Sequence, residues 1–409
     1  MKVEVAIIGG GPAGLTAARE IGERGGSAVV IDDHPKPGGK LLGQLHEELV
    51  SGTWRKGYEQ AEQLVQRALA ANVKILSGKQ VWALEKGWNV FVSDVHQQYS
   101  NGFVIEAEAV LLATGAVEKP VPIPGWTLPG VMSIGAAQVL TNVYRIKPGQ
   151  KAAIAGIDIL SLSIARAMKL AGVDVIGLFM LSKNEFTKEA AVPYQLMDSL
   201  KSFTHHAPSP LLRMGGHLLK TENGRKIASV LYPPWGFKVW GIPVHFRRSL
   251  IGIEGKNEVE QAVLTKIDFK GDAVGLPYKE SVDVVCISGG LSPLYELAVN
   301  TDCSFAYLDG LNGMVPLHDE TMETNAAGLF VAGNITGIEG AKVAMAQGVV
   351  AGKTICRKVG IGRVQEQEII KAIDDVKRAR READIQFHPF ISEARDELQK
   401  LWQEAVLKT

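Results

Sequence analysis

The sequence predicts an α/β protein with two Rossmann-like dinucleotide-binding units and a helical C-terminal tail. Three observations carry that prediction. An apolar run at residues 3–8 meets the string Gly9-Gly10-Gly11-Pro12-Ala13-Gly14 and then a helix-period stretch. A second apolar run, residues 151–156, opens the same strand–loop–helix–strand order in mid-chain. Residues 362–409 have apolar side chains at helical rather than strand spacing.

In the first unit, residues 3–8 read as a strand buried on both faces. Gly9, Gly11 and Gly14 form G-x-G-x-x-G, Leu15, Ala18 and Ile21 mark a helix, and residues 27–31 form a second strand ending at Asp32. Gly9 suits the tight turn, Gly11 lets a pyrophosphate approach the backbone, and Gly14 lets helix and strand pack closely. The helix start offers free N–H groups and its dipole to phosphate. Asp32, eighteen residues past Gly14, can accept from ribose hydroxyls. The motif alone does not distinguish NAD from FAD.

In the second unit, residues 159–170 read as a helix and 173–179 as a strand. The loop is Gly156-Ile157-Asp158-Ile159-Leu160-Ser161, with Asp158 at the second glycine position and Ser161 at the third. Asp158 puts a Cβ and a negative charge where a pyrophosphate would approach. Each like-charge pair there costs several kcal/mol at a few ångströms and an effective dielectric of ~20. The second strand ends at Phe179 and Met180, with no acid for a ribose. The expectation is a nicotinamide-type domain that has kept its fold but not NAD(P)H binding; the alternative is a loop rearranged to admit it.

Before this unit, residues 110–115 form a strand ending Ala113-Thr114-Gly115. Pro120, Pro122, Pro124, Pro129 and Gly130 then stiffen a connector in which Trp126 reads as a packing residue. After it, His205, His206, His217 and His245 show no metal-ligand spacing and read as surface or packing histidines. Residues 231–236 read as a turn with exposed aromatics. Strands follow at 282–288 and before Gly333-Asn334, then a helix over 340–355 with small residues at Ala341, Ala344, Gly348, Ala351 and Gly352. In the tail, Ile369, Ile373 and Val376, then Leu398, Leu401, Trp402 and Ala405, mark two amphipathic helices, with Ser392 as N-cap of the second.

Composition narrows the function. Lys plus Arg and Asp plus Glu are 44 each, a formal net charge of zero, which argues against broad electrostatic capture of nucleic acid or anionic membrane. At 46% hydrophobic and 22% charged residues, the chain reads as globular rather than disordered, and 409 residues suggest two or three domains. Cys286, Cys303 and Cys356 include no CxxC pair, which excludes a disulfide scaffold, a thiolate zinc site and a four-cysteine iron–sulfur cluster within the chain. No metal site is expected. The N-terminal apolar run is too short for a signal peptide, and no run approaches the ~18 apolar residues of a membrane helix. A cytoplasmic protein is expected.

Pro37-Gly38-Gly39-Lys40 resembles the stretch that crosses the flavin side of FAD in the flavoprotein reductases with two dinucleotide domains. With Ile31-Asp32-Asp33-His34-Pro35, residues 124–131 and residues 291–298, it makes the chain resemble the FAD-binding alpha subunits of heteromeric amino-acid and amine dehydrogenases, from Val3 to about Gly352. These include dye-linked L-proline dehydrogenase, hydroxyproline dehydrogenase, opine oxidase and hydrogen cyanide synthase.

The resemblance implies the pyridine-nucleotide-reductase fold, with the second nucleotide domain inserted in the first. Residues 1–115 and 281–360 would form the FAD domain, 116–280 the NAD(P)-binding-like domain, and 361–409 the tail. It implies FAD contacts from Gly9, Gly11, Pro12, Ala13, Gly14, Asp32, Asp33, Gly39, Lys40, Ala113, Thr114, Gly115, Gly333, Asn334, Gly340 and Ala341. Relatives usually have aspartate at the Asn334 position, and many have glutamine at that of Lys40. Lys40 is the one candidate for a chemical role, as a cation near the flavin, against a solvated surface lysine. The family's usual cysteine-rich C-terminal segment is missing. His388-Pro389 resembles a disulfide-reductase segment, but its cysteine pair is absent.

The implied function is an electron-transfer subunit of a dehydrogenase oxidising an amino acid or secondary amine. Electrons would pass to a non-nicotinamide acceptor. Implied partners are a flavoprotein of the amino-acid-oxidase type and a small ferredoxin-like protein, with FMN or an iron–sulfur cluster supplied by or shared with a partner. Membrane association would be peripheral, through the complex. Two alternatives stay open: a stand-alone NAD(P)H:acceptor oxidoreductase, and a non-catalytic scaffold holding FAD or an adenine nucleotide.

Overall fold

The computed structural model describes residues 1–47, 53–95, 102–199, 236–383 and 387–406. His205, His206, His217 and residues 231–235 lie outside them. The chain divides into two compact units. One comprises Met1–Leu42, Gly57–Val117 and Leu291–Thr409; the other comprises Gly43–Lys56 and Glu118–Gly290. The hairpin within Gly43–Lys56 thus groups with the second unit, and the tail with the first.

The first unit begins β1 (Lys2–Ile8), α1 (Pro12–Gly22), β2 (Ala28–Asp32), α2 (Gly57–Ala70) and β3 (Lys74–Ser77). The meander β4 (Lys79–Glu85), β5 (Asn89–Asp94) and β6 (Phe103–Leu112) follows. The sheet order is β3-β2-β1-β6-β5-β4; β1 runs parallel to β2 and β6, and the meander is antiparallel. Val5 to Ile8 and all of β2 are buried, because a parallel strand between helix layers meets water on neither face. Leu15, Ala18 and Ile21, the apolar stripe of α1, are fully buried.

The second unit contains β7 (Val131–Ser133), β8 (Lys151–Ala155), α3 (Ile159–Leu170), β9 (Asp174–Leu181), β10 (Ile242–Glu254), β11 (Gln261–Lys266), β12 (Tyr278–Ser281) and β13 (Val284–Ile287). Its sheet order is β7-β13-β8-β9-β10-β11-β12, parallel from β7 to β10 and antiparallel beyond. Arg166 on α3 lies between the rings of Trp54 and Trp240, at 4.9 and 4.8 Å, which fixes the Gly43–Lys56 segment onto this unit. Trp126 stays 43% exposed, so the packing role expected for it is only partial: its loop is closed by Trp126 N–H donating to the Ile123 carbonyl rather than by burial of the ring.

The chain then returns to the first unit with β14 (Leu329–Val331), parallel to β6, and helices α4 (Ala341–Val359), α5 (Glu366–Arg381) and α6 (Ile391–Val406). α4 packs on α1 without intervening side chains: a Cβ on Gly348 would lie 2.3 Å from the Ala13 carbonyl oxygen, and one on Gly352 2.7 Å from Glu20 Cβ. The tail forms the two expected helices. Ser392, however, falls inside the first turn of α6 and is not its N-cap. Ile391 already packs with Leu308 and Leu311, and the helix starts there, two residues before a Ser392 cap would place it. Among the described residues no helix is long and apolar enough to cross a membrane.

Candidate functional site

The loop between β1 and α1 has the geometry its sequence spacing demands. Gly9 has φ +108°, and a Cβ there would lie 2.3 Å from the Ala113 carbonyl oxygen, so only glycine fits. A Cβ on Gly14 would lie 2.0 Å from the Gly9 carbonyl oxygen, which shows how tightly helix and turn are packed. Gly11 is different: a Cβ there would meet nothing within 4 Å. That open cradle lies at the N-terminus of α1, where Gly11 is the N-cap residue, no side chain caps the turn, and Pro12 occupies the first helical position.

The other expected residues gather around this loop. Asp32 is buried at the end of β2, with Oδ2 accepting from Gly10 N–H at 2.6 Å and Oδ1 from His34 N–H at 2.9 Å. Each oxygen keeps a further lone pair. Burial pushes the Asp32 carboxyl above its ordinary pKa, against the pull of those two N–H groups. Asp33 is exposed beside it. Gly38 N–H donates to the Gly10 carbonyl at 2.8 Å, and a Cβ on Gly39 would lie 3.1 Å from Gly11 Cα. Lys40 follows, exposed, in the turn Gly39–Gly43.

Ala113 N–H donates to the Ile8 carbonyl at 2.8 Å, Thr114 Oγ1 donates to the Leu294 carbonyl at 2.5 Å, and the Cβ position of Gly115 is open. A Cβ on Gly333 would lie 3.0 Å from Ala13 Cβ. Asn334 turns its Oδ1 back onto its own loop, accepting from Glu339 N–H at 3.2 Å. Gly340 is the N-cap residue of α4, with Ala341 at its first position, and no side chain caps that helix either.

Two participants were not singled out from the sequence. Gly333 N–H donates to Gln347 Oε1 at 2.8 Å, and Gln347 Nε2 donates to Thr336 Oγ1 at 3.1 Å. Both side chains are buried. Gln347 sits between Ala346 and Gly348, and nothing in the sequence marked it as inward-facing.

The second loop is built otherwise. Asp158 is the N-cap of α3. Its Oδ1 accepts from Ser161 N–H at 2.7 Å, its own N–H donates to Ser161 Oγ at 2.9 Å, and its Oδ2 accepts from the Ser288 hydroxyl at 2.6 Å. The carboxylate therefore occupies the anion-favouring end of α3 itself. Gly156 keeps φ +103° against the Ser288 carbonyl, so the turn survives without its open cradle.

Burial raises all three cysteine thiols: Cys286, which also senses Glu118, to about 12, and Cys303 and Cys356 to about 11. None is a thiolate at neutral pH. His245 is buried against Phe179, the rings 5.1 Å apart, and burial with nearby Arg248 lowers its pKa to about 4.

Residues 3–197 match the family described as pyridine nucleotide-disulphide oxidoreductase, and residues 313–361 match that of glucose inhibited division protein A. Over residues 3–197 the chain is therefore similar to the pyridine-nucleotide-disulphide oxidoreductases. The kinship supports an FAD-dependent oxidoreductase, and the family implies flavin binding.

An opine oxidase subunit from Agrobacterium tumefaciens is 29% identical over 85% of the chain and 64% of its own length. Hydrogen cyanide synthase subunit HcnB from Pseudomonas aeruginosa is 26% identical over 87% of the chain and 71% of its own. The structure of L-proline dehydrogenase from P. horikoshii superposes with TM-score 0.64 at 18% identity, covering 92% of this chain and 59% of that one. The chain thus spans roughly three-fifths to seven-tenths of these proteins. The family resemblance read from the sequence is borne out.

Proposed function

We propose that the chain is the FAD-binding electron-transfer subunit of a multi-subunit dehydrogenase that oxidises an amino acid or secondary amine. One contrast carries the reading: the first phosphate loop is open at Gly11, whereas the second is closed by its own Asp158.

The first site fits FAD. Gly11, Pro12, Ala13 and Gly14 would take the pyrophosphate on the start of α1, and Asp32, with Asp33 beside it, would take the ribose. Gly39, Lys40, Ala113, Thr114 and Gly115 would line the flavin side, and Gly333, Asn334, Gly340 and Ala341 the far edge. When bound, FAD supplies the two-electron chemistry. The chain's own residues bind and orient it, and the uncapped start of α4 favours negative charge nearby.

No side chain of this protein has to act as acid or base, and the buried cysteines stand outside the chemistry. A partner of the amino-acid-oxidase flavoprotein type would meet the substrate. A second flavin, FMN, or an iron–sulfur cluster would come from that partner or from a ferredoxin-like protein, because this chain has no cysteine set to hold a cluster. The relatives named as subunits support a heteromeric assembly.

The test uses the complex purified from its native host. Anaerobic addition of an opine or proline is expected to bleach the flavin, and addition of NADH or NADPH is not. Rapid bleaching by NADH or NADPH would favour a stand-alone reductase and overturn the proposal.

A further inference from the structure

We propose that helices α5 and α6 clamp the loop 333–340, and that Arg395 and Arg380 are positioning residues for the flavin beside it. The inference rests on the FAD reading above. The loop starts at Gly333, against Ala13 of the phosphate loop, and ends at Gly340, the start of α4. Its shape therefore sets both contacts.

Within the loop, Thr336 and Glu339 carry the load from the tail. Arg395 Nη1 donates to the Thr336 carbonyl at 2.7 Å, and Nη2 donates to Thr336 Oγ1 at 3.2 Å and to Glu339 Oε2 at 2.5 Å. Arg380 Nε and Nη2 donate to Glu339 Oε1 and Oε2 at 2.5 and 3.1 Å. Thr336 Oγ1 donates onward to the Gly333 carbonyl at 2.9 Å and accepts from Gln347. An unbroken chain of hydrogen bonds thus runs from both tail helices to Gly333.

The chain is buried, with Thr336 at 0% and Arg395 at 8% exposure. A fixed geometry is what a short, directional network in a low-dielectric interior provides. The tail is therefore more than a cover for the apolar cluster around Leu308 and Leu311. Two guanidinium groups face one carboxylate, which leaves a net positive charge beside the loop and favours reduced over oxidised flavin.

The experiment measures FAD content, visible spectrum and midpoint potential of the full-length chain as wild type, Arg395→Gln, Arg380→Gln, Arg395→Lys and Leu84→Ala. Either glutamine variant leaves Glu339 paired with the other arginine. Arg380 lies at the end of α5, so its variant reports even if Arg395→Gln folds poorly.

Reduced FAD is expected to lose about tenfold more affinity than oxidised FAD in the glutamine variants, lowering the potential by about 30 mV. The lysine variant should recover part of the shift. Leu84→Ala, a core lesion elsewhere in the unit, should lower the melting temperature and leave the potential unchanged. Glutamine variants with wild-type potential and spectrum, or an equal shift in Leu84→Ala, overturn the clamp and leave the FAD reading standing. A wild-type chain that takes up no added FAD overturns both.

Discussion

The Asp158 carboxylate accepts a hydrogen bond from the Ser288 hydroxyl at 2.6 Å, joining the phosphate loop of the second unit to the end of its neighbouring strand β13. With Ser161 on its other oxygen, Asp158 acts as a built-in anion where a dinucleotide fold ordinarily receives an external one. The second unit is thereby stabilised by the residue that closes it.

Asp158→Ala removes the N-cap and is expected to cost about 1–2 kcal/mol. Asp158→Asn keeps an oxygen acceptor and should recover most of that. Urea denaturation of the two variants against wild type checks this; an alanine variant as stable as wild type contradicts it.

Gly14→Ala is expected to lose stability. Its Cβ would lie 2.0 Å from a backbone oxygen that has little freedom to move, and overpacking of this kind typically costs about 1–3 kcal/mol. Thermal unfolding followed by far-ultraviolet circular dichroism should show a lower midpoint even in apoprotein. An unchanged midpoint would mean that helix and turn separate more easily than the packing indicates.

His318 gives a pH signature. Its Nδ1–H donates to the Pro316 carbonyl at 2.7 Å, and burial, with Arg395 nearby, lowers its pKa to about 3. The unfolded chain therefore binds a proton below about pH 6.5 that the folded chain refuses, so stability falls as pH drops through that value. At pH 5 the loss is about 2 kcal/mol. His318→Asn retains a donor for Pro316 but does not titrate. Its stability should fall less between pH 7 and pH 5 than that of wild type; parallel pH profiles would remove His318 from the account.

Legibility followed locality. Gly9, Gly11 and Gly14 lie within six residues, and their separate tasks could be read from backbone chemistry alone. Asp158 was legible as an obstruction but not as a ligand, because Ser288 is 130 residues away. Strand β10 was not read: its pairing shifts register against both β9 and β11, and its burial pattern breaks the two-residue alternation. Arg380 and Arg395 were not singled out in the two amphipathic tail helices. Only pairing with the distant Glu339 permits the burial of Arg395 and the half-burial of Arg380. Gly11 to Gly14, Gly340 and Ala341 were read as candidate FAD contacts, whereas Thr336 and Gln347 carried no distinguishing pattern.

The most direct test compares FAD bound per chain in wild type and Gly11→Val. Gly11 has an extended backbone and open space at its Cβ, so a side chain there starts out into the cradle without meeting the protein. About one FAD per wild-type chain is expected, with a folded Gly11→Val chain that holds little or none. A wild type without flavin, or a Gly11→Val chain holding as much as wild type, would contradict the assignment of FAD to the first phosphate loop.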